Sequence, residues 1–196
     1  TIITRSFISK DDKVVYPYPT YLLYKILSEI QNAKECIIDF REDYSLSDDI
    51  LVKDASVTFM CNPNSPSGTM IPVEKISEIA GKIDGIIVVD EAYADFANDN
   101  CLRLVDKHPN LIVLRTLSKS YSLAGMRLGF AIAQEALING MMKVKDSYNV
   151  DRLSMTSAVA ALDDQETFRQ NVSRIIKTRE RLIDSLKELG FFVYPS

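Results

Sequence analysis

The chain is poor in the residues that most often build metal and redox sites. It has one histidine, His108, and three cysteines, Cys36, Cys61 and Cys101, in 196 residues. The cysteines are odd in number and widely spaced, which fits no zinc or dithiol motif and agrees with a reducing cytoplasm. His108 precedes Pro109 in a segment read as a surface loop, and a structural part is expected of it. No His-Glu-x-x-His stretch or acidic cluster occurs, so no metal is expected. The pairs Asp48-Asp49 and Asp163-Asp164 read as solvated loop or helix-start charges. Both glycine-rich nucleotide fingerprints are missing. No apolar run approaches the roughly 20 residues needed to cross a bilayer, and the amino terminus lacks the charged-then-apolar order of a signal peptide. Lysine and arginine number 23 against 27 acids, for a formal net charge of -4, with no basic stripe. That balance argues against nucleic acid as a partner, and no membrane partner is expected either. The ends, TIITRSFI and FFVYPS, read as the last turns of an apolar helix and the edge of a strand, and predict a segment of a longer chain.

What the chain does have is apolar patterning. Hydrophobic residues make up 46% of it, enough for a real core, with no repeat or low-complexity tract. Strand-like runs fall at Val14–Tyr16, Cys36–Phe40, Val57–Cys61, Gly85–Val89, Leu111–Leu114, Leu128–Ala133 and Phe191–Tyr194. Helical spacing covers Tyr21–Gln31, Val73–Ile83 behind Pro72, Glu135–Lys145, Met155–Leu162 and about 164–189, with Gly190 as a cap. Runs such as GIIVV are apolar throughout, as in strands covered on both faces. The alternation predicts an α/β fold, a mostly parallel sheet flanked by helices in three layers. In such sheets ligands collect at the carboxyl ends of the strands.

Three stretches sit at those ends. NPNSPSG, Asn62 to Gly68, follows VTFMC; its prolines and glycine fix a tight loop, and taken alone it is a turn. DEAYADF follows GIIVV. Asp90 closes an apolar strand, where a carboxylate is costly unless paired, and its plainer role is to cap a helical turn. TLSKSYSLAGMRLG follows LIVL. Lys119 stands among the hydroxyls of Thr116, Ser118, Ser120 and Ser122, with Arg127 eight residues on. A desolvated lysine can act as an amine nucleophile or base, although a loop lysine is more commonly solvated. Arginine with hydroxyls makes an anion cradle. Together the three loops supply a polar turn, a buried acid, a phenol at Tyr93, an amine and a guanidinium. Pyridoxal phosphate, with its phosphate, ring nitrogen, phenolic oxygen and aldehyde, would use each of them. That reading requires residues 90, 93, 119 and 127 to converge on one hollow.

These motifs, with PYPTYLLYKILSEIQ upstream, resemble the fold-type I pyridoxal-phosphate-dependent aminotransferases (class I/II), and most closely the histidinol-phosphate aminotransferase family, over essentially all 196 residues. The resemblance implies a cofactor-binding large domain at 1–163, and at 164–196 an interdomain helix leading into the first strand of a small domain. It implies that Lys119 condenses with the cofactor aldehyde and moves the substrate α-proton. Asp90 would pair with the pyridine nitrogen, and Tyr93 would bond the phenolic oxygen. Thr116, Ser118 and Arg127 would bind the phosphate, and Tyr21 would stack on the ring. The partners implied are small molecules, glutamate and imidazole-acetol phosphate, with histidinol phosphate and 2-oxoglutarate as products, in a homodimer.

The sequence departs from the family at one place. The asparagine usual before the second proline of the turn is Ser65, so Asn64 or Ser65 is expected to contact the phenolic oxygen. The neighbouring Ser67 replaces a threonine. The family's substrate-carboxylate arginine and an N-terminal phosphate-binding loop fall outside these residues, so little activity is expected of the segment alone. Threonine-phosphate decarboxylases and aromatic aminotransferases share the same loops, and a non-catalytic relic would keep them too.

Overall fold

The structure, a computed structural model, describes all 196 residues. Six strands form one sheet: β1 (Lys13–Tyr18), β2 (Lys34–Asp39), β3 (Ala55–Cys61), β4 (Ile86–Asp90), β5 (Leu111–Thr116) and β6 (Gly129–Ala133). Their order is β2-β1-β3-β4-β5-β6. The first five are mutually parallel, and β6 runs antiparallel to β5. The α/β fold with a mostly parallel sheet is thus present.

Strand side chains alternate between two faces. Val15, Met60, Ile87, Val89 and Val113 enter one core, which α3 (Val73–Ala80) covers with Ile76 and Ile79, both at 0% exposure. Burying each such isoleucine contributes about 1.5–3 kcal/mol. Val14, Tyr16, Val57, Phe59, Val88 and Ile112 enter the other core. Three helices cover it: α1 (Ile2–Phe7) through Ile3, α2 (Leu23–Ile30) through Tyr24, and α4 (Glu135–Val144) through Met141. Helices α5 (Arg152–Asp163) and α6 (Gln165–Glu188) follow, and α6 has no buried residue.

Several boundaries differ from the sequence reading. Helix α5 starts at Arg152, ahead of Met155, because the Asp151 carboxylate accepts from the Ser154 N–H at 2.9 Å and caps the helix. Asp164 does the same for α6 at Thr167, at 3.0 Å. Gly190, at φ +85, ends α6 as expected: its N–H reaches Lys187 O at 2.9 Å, and that of Phe191 reaches Leu186 O at 3.0 Å. The strand expected at Phe191–Tyr194 does not form. The Tyr194 ring packs edge-on against Tyr44, 4.8 Å between centroids. No helix is long and apolar enough to cross a membrane.

Parallel register brings the carboxyl ends of β1, β3, β4 and β5 to one edge. Strand β6 starts at that same edge, with Gly129 opposite Thr116. A Cβ at Gly129 would lie 2.8 Å from the Arg115 carbonyl, so glycine permits this close pairing. The pairing sets the backbone of Arg127 and Leu128 next to the end of β5, where the Leu117 N–H donates to Leu128 O at 3.1 Å.

Candidate active site at the strand ends

Asp90 ends β4 between two donors. Its Oδ2 accepts from the Tyr24 hydroxyl at 3.0 Å, and its Oδ1 from the Ala92 N–H at 3.1 Å. The second bond is the turn-capping role that the sequence suggested. The first is new. Burial pushes the Asp90 carboxyl above its ordinary range, while the Tyr24 and Ala92 donors and the Lys119 charge pull it down. Tyr24 is 3% exposed and lies parallel to Phe59, 4.8 Å between ring centroids. Burial, then the Asp90 charge, drives its hydroxyl pKa well up, so Tyr24 remains a donor. Tyr21, which is exposed, meets Tyr24 edge-on at 5.7 Å. Cys61 is buried nearby, and burial followed by the Asp90 charge pushes its thiol up to about 12. Such a thiol is inert.

Lys119 follows β5, and its ammonium lies 4.9 Å from the centroid of the Tyr93 ring. That contact is worth about 0.5–2 kcal/mol, depending on desolvation. Just before it, Thr116 Oγ1 donates to Ser118 Oγ at 2.9 Å and accepts from the Ser118 N–H at 3.1 Å. The loop turns at Ser122 (φ 58) and Arg127 (φ 53), both left-handed. For residues with a Cβ this backbone costs on the order of 1–2 kcal/mol each, and such strain gathers at functional sites. The Arg127 side chain donates to the Ala124 carbonyl at 3.0 Å.

In the NPNSPSG turn, Asn62 bonds both the N–H and the C=O of Ile71 (2.8 and 3.1 Å) and is structural. Asn64 is 2% exposed and fully engaged: Oδ1 accepts from Thr20 Oγ1 at 2.9 Å, and Nδ2 donates to Pro19 O at 3.1 Å and Ser67 Oγ at 2.9 Å. It ties this turn to the end of β1. A cavity of about 430 Å³ opens beside the turn, lined among others by Ser65, Tyr93, Phe96 and Arg179.

Convergence on one hollow is only partly met. Tyr93 lines the cavity, and Lys119 sits over Tyr93, but Asp90, Lys119 and Arg127 are not among the lining residues. Asp90 instead accepts from Tyr24, the Lys119 ammonium faces the Tyr93 ring, and Arg127 donates to Ala124. Sequence reasoning also passed over Tyr24 and a charged group beside the site, Glu91, Asp95 and Arg115. A signal for the second was present, since Arg115 directly follows the apolar run LIVL while DEAYADF carries two acids, Glu91 and Asp95, beyond Asp90.

Comparison with known proteins agrees with this architecture. The family model for aminotransferase class I and II matches residues 1–196. The chain is 46% identical over 198 aligned residues to histidinol-phosphate aminotransferase 1 of Nostoc sp., covering 100% of this chain and 56% of that protein. It is 47% identical to the histidinol-phosphate aminotransferase of Syntrophotalea carbinolica, covering 99% and 56%. The chain therefore spans a little over half the length of these curated relatives. Among solved structures, histidinol-phosphate aminotransferase from Sinorhizobium meliloti, in complex with pyridoxal-5'-phosphate, superposes with TM-score 0.92 at 23% identity, over 100% of this chain and 56% of that one. A Thermus thermophilus aspartate aminotransferase variant gives 0.87 at 19%, over 100% and 56%. At those identities the likeness speaks for the fold.

Proposed function

The chain belongs to the aminotransferases of class I and II, and on that premise we propose that it is the cofactor-binding part of a pyridoxal-phosphate-dependent histidinol-phosphate aminotransferase. The observation that carries the reading is the Lys119 ammonium poised 4.9 Å over Tyr93, at the end of the strand next to the one that Asp90 closes.

The side chains suit this cofactor in kind. The half-buried Asp90 carboxylate is raised by desolvation and bonds no cationic side chain, with only the Lys119 charge acting on it, so a protonated pyridine nitrogen would find a fitting partner there. Bound there, the cofactor provides an electron sink for a carbanion at the substrate α-carbon. The chain does the rest. Asp90, oriented by Tyr24, would hold the ring nitrogen protonated. Lys119 would be the amine that holds the cofactor and moves the α-proton. Tyr93 would bond the phenolic oxygen, and so would Ser65, since Asn64 is engaged by Pro19, Thr20 and Ser67. Thr116 and Ser118 hydroxyls would hold the phosphate together with Arg127, once its side chain leaves the Ala124 carbonyl. Tyr21, exposed beside Tyr24, covers the ring face.

Relatives carrying the histidinol-phosphate name at 40–47% identity support glutamate and imidazole-acetol phosphate as the substrate pair. The same reading makes residues 1–163 the large domain, 164–196 the entry to a second one, and the complete enzyme a cytoplasmic homodimer. Titration with pyridoxal phosphate, borohydride reduction and peptide mapping test it: a visible absorbance band should appear and be fixed on Lys119. Bleaching of that band by histidinol phosphate, and not by threonine phosphate or aromatic amino acids, is expected. Absence of any adduct on Lys119 would sink the proposal.

A further inference from the structure

Asp90 and Tyr93 share the loop after β4 and Lys119 follows β5, yet each has a close chain neighbour in one polar network. Glu91 follows Asp90, Asp95 lies two residues past Tyr93, and Ser120 follows Lys119. Arg115, from β5, joins them. Its Nε donates to Glu91 Oε2 at 2.8 Å and its Nη1 to Asp95 Oδ1 at 2.9 Å. The remaining oxygens are also taken: Glu91 Oε1 accepts from the Cys101 N–H, and Asp95 Oδ2 from the Ser120 hydroxyl. Glu91 and Ser120 are each 1% exposed. With every carboxylate oxygen engaged inside the chain, the network has no vacancy for a ligand.

Stability is a poor reason for such a network. Two carboxylates share one guanidinium, and taking these charges out of water costs several kcal/mol per ion before any pairing gain. Geometry gives a better reason. The planar guanidinium fork fixes two acids at set directions, which a lysine could not do. One acid stands at the end of β4; the other, in the turn after Tyr93, holds the residue beside Lys119. That turn is fastened from its far side as well, where Arg179 of α6 donates to the Phe96 carbonyl at 3.1 Å.

We infer that Arg115, Glu91, Asp95 and Ser120 form a positioning clamp that sets the amine of Lys119 relative to Asp90 and Tyr93. None of the four is a catalytic residue; each acts through its neighbour. The inference deepens the aminotransferase reading and rests on it for its purpose, but the geometry can be tested without the cofactor.

The test compares the unmodified chain with Ser120→Ala, Asp95→Asn and the double variant. Lys119 is labelled by formaldehyde and cyanoborohydride, and its rate is read by mass spectrometry against Lys177 on α6. The clamp predicts that each single variant speeds Lys119 labelling by about threefold or more, leaves Lys177 unchanged, and that the double variant adds little, because one link has been cut twice. With pyridoxal phosphate, each variant should bind about tenfold more weakly, near 1.4 kcal/mol, with an altered circular dichroism per bound cofactor. Arg115→Lys, which keeps the charge and loses the fork, should behave like the double variant. Unchanged labelling and dichroism beside a lowered melting temperature would overturn the clamp and leave an ordinary structural ion pair. Failure of the unmodified chain to capture the cofactor would overturn the enzymatic reading alone, because the labelling result stands separately.

Discussion

The Tyr24 hydroxyl donates to the Asp90 carboxylate at 3.0 Å across 66 residues of chain, joining α2 to the end of β4. Tyr24 is otherwise a core residue, stacked on Phe59. The ring supplies packing and the hydroxyl supplies orientation. Tyr24→Phe separates the two, because phenylalanine keeps the stack. Hydrogen bonds to charged groups are worth about 1.5–3 kcal/mol. Urea unfolding of Tyr24→Phe should therefore show a loss of that order, with an unchanged m-value. A midpoint equal to that of the unmodified chain would mean that Asp90 does not need its phenolic partner.

Asp90 also makes stability depend on pH in an unusual direction. Its folded pKa is raised above 3.8 by burial, so between the unfolded and folded values the native state holds the extra proton. Stability from this group is present below 3.8 and is lost as pH rises through the folded value. Glu91, raised mainly by burial from 4.5, acts in the same sense. Asp48, Asp54, Asp99, Asp151 and Asp164 are lowered by their partners and act oppositely, being lost as pH falls. The total slope mixes both. Asp90→Asn isolates one contribution. In the cofactor-free chain, the stability of Asp90→Asn relative to the parent should rise as pH climbs from 3.8 and then level off. Urea midpoints across mildly acid pH check this, and a difference that shrinks with rising pH contradicts it.

The strands and most helices were legible because apolar spacing carries them. GIIVV and LIVL read as covered strands and are two adjacent interior strands of the sheet, β4 and β5. The three loops were legible because a parallel sheet gathers its carboxyl ends on one edge, so Asp90, Tyr93, Lys119 and Arg127 could be placed from strand boundaries alone. Side-chain commitments were not. Asn64 and Ser65 were equally eligible, because the sequence does not show that Asn64 bonds Pro19, Thr20 and Ser67. Tyr24 looked like any apolar helix position, because nothing local shows that its hydroxyl ends beside an acid 66 residues away. Phe191–Tyr194 shows the opposite failure: strand propensity is present, but a strand forms only by pairing with a neighbour, which propensity does not report, and none forms here.

Ser65 offers a gain-of-binding test. It replaces the asparagine usual in the resembling family, lines a cavity of about 430 Å³, and has room for a longer side chain. Ser65→Asn should bring an amide within reach of the cofactor's phenolic oxygen. One added neutral hydrogen bond is worth about 1 kcal/mol, or about fivefold tighter binding of pyridoxal phosphate. Fluorescence titration measures it. Weaker binding would indicate that this turn does not face the ring oxygen and that Tyr93 holds it without help.

Arg127 tests the phosphate end, and the control is chemical. Its backbone is left-handed, φ 53, as it also is at loop residues such as Tyr44 and Tyr148, so the strain alone does not assign it a role. Its guanidinium rests on one carbonyl at 3.0 Å, a weak hold compared with a phosphate dianion. Arg127→Met keeps most of the apolar stem and removes the charge. If the guanidinium moves onto the phosphate, pyridoxal phosphate should bind roughly 10- to 100-fold more weakly to the variant, the size of a lost charge-assisted bond. Pyridoxal, which lacks the phosphate, should bind parent and variant alike. Added salt should weaken the parent's affinity more than the variant's, because screening acts on the charge that was removed. Equal losses for both ligands would place Arg127 in the folding of the loop and leave Thr116 and Ser118 as the whole cradle.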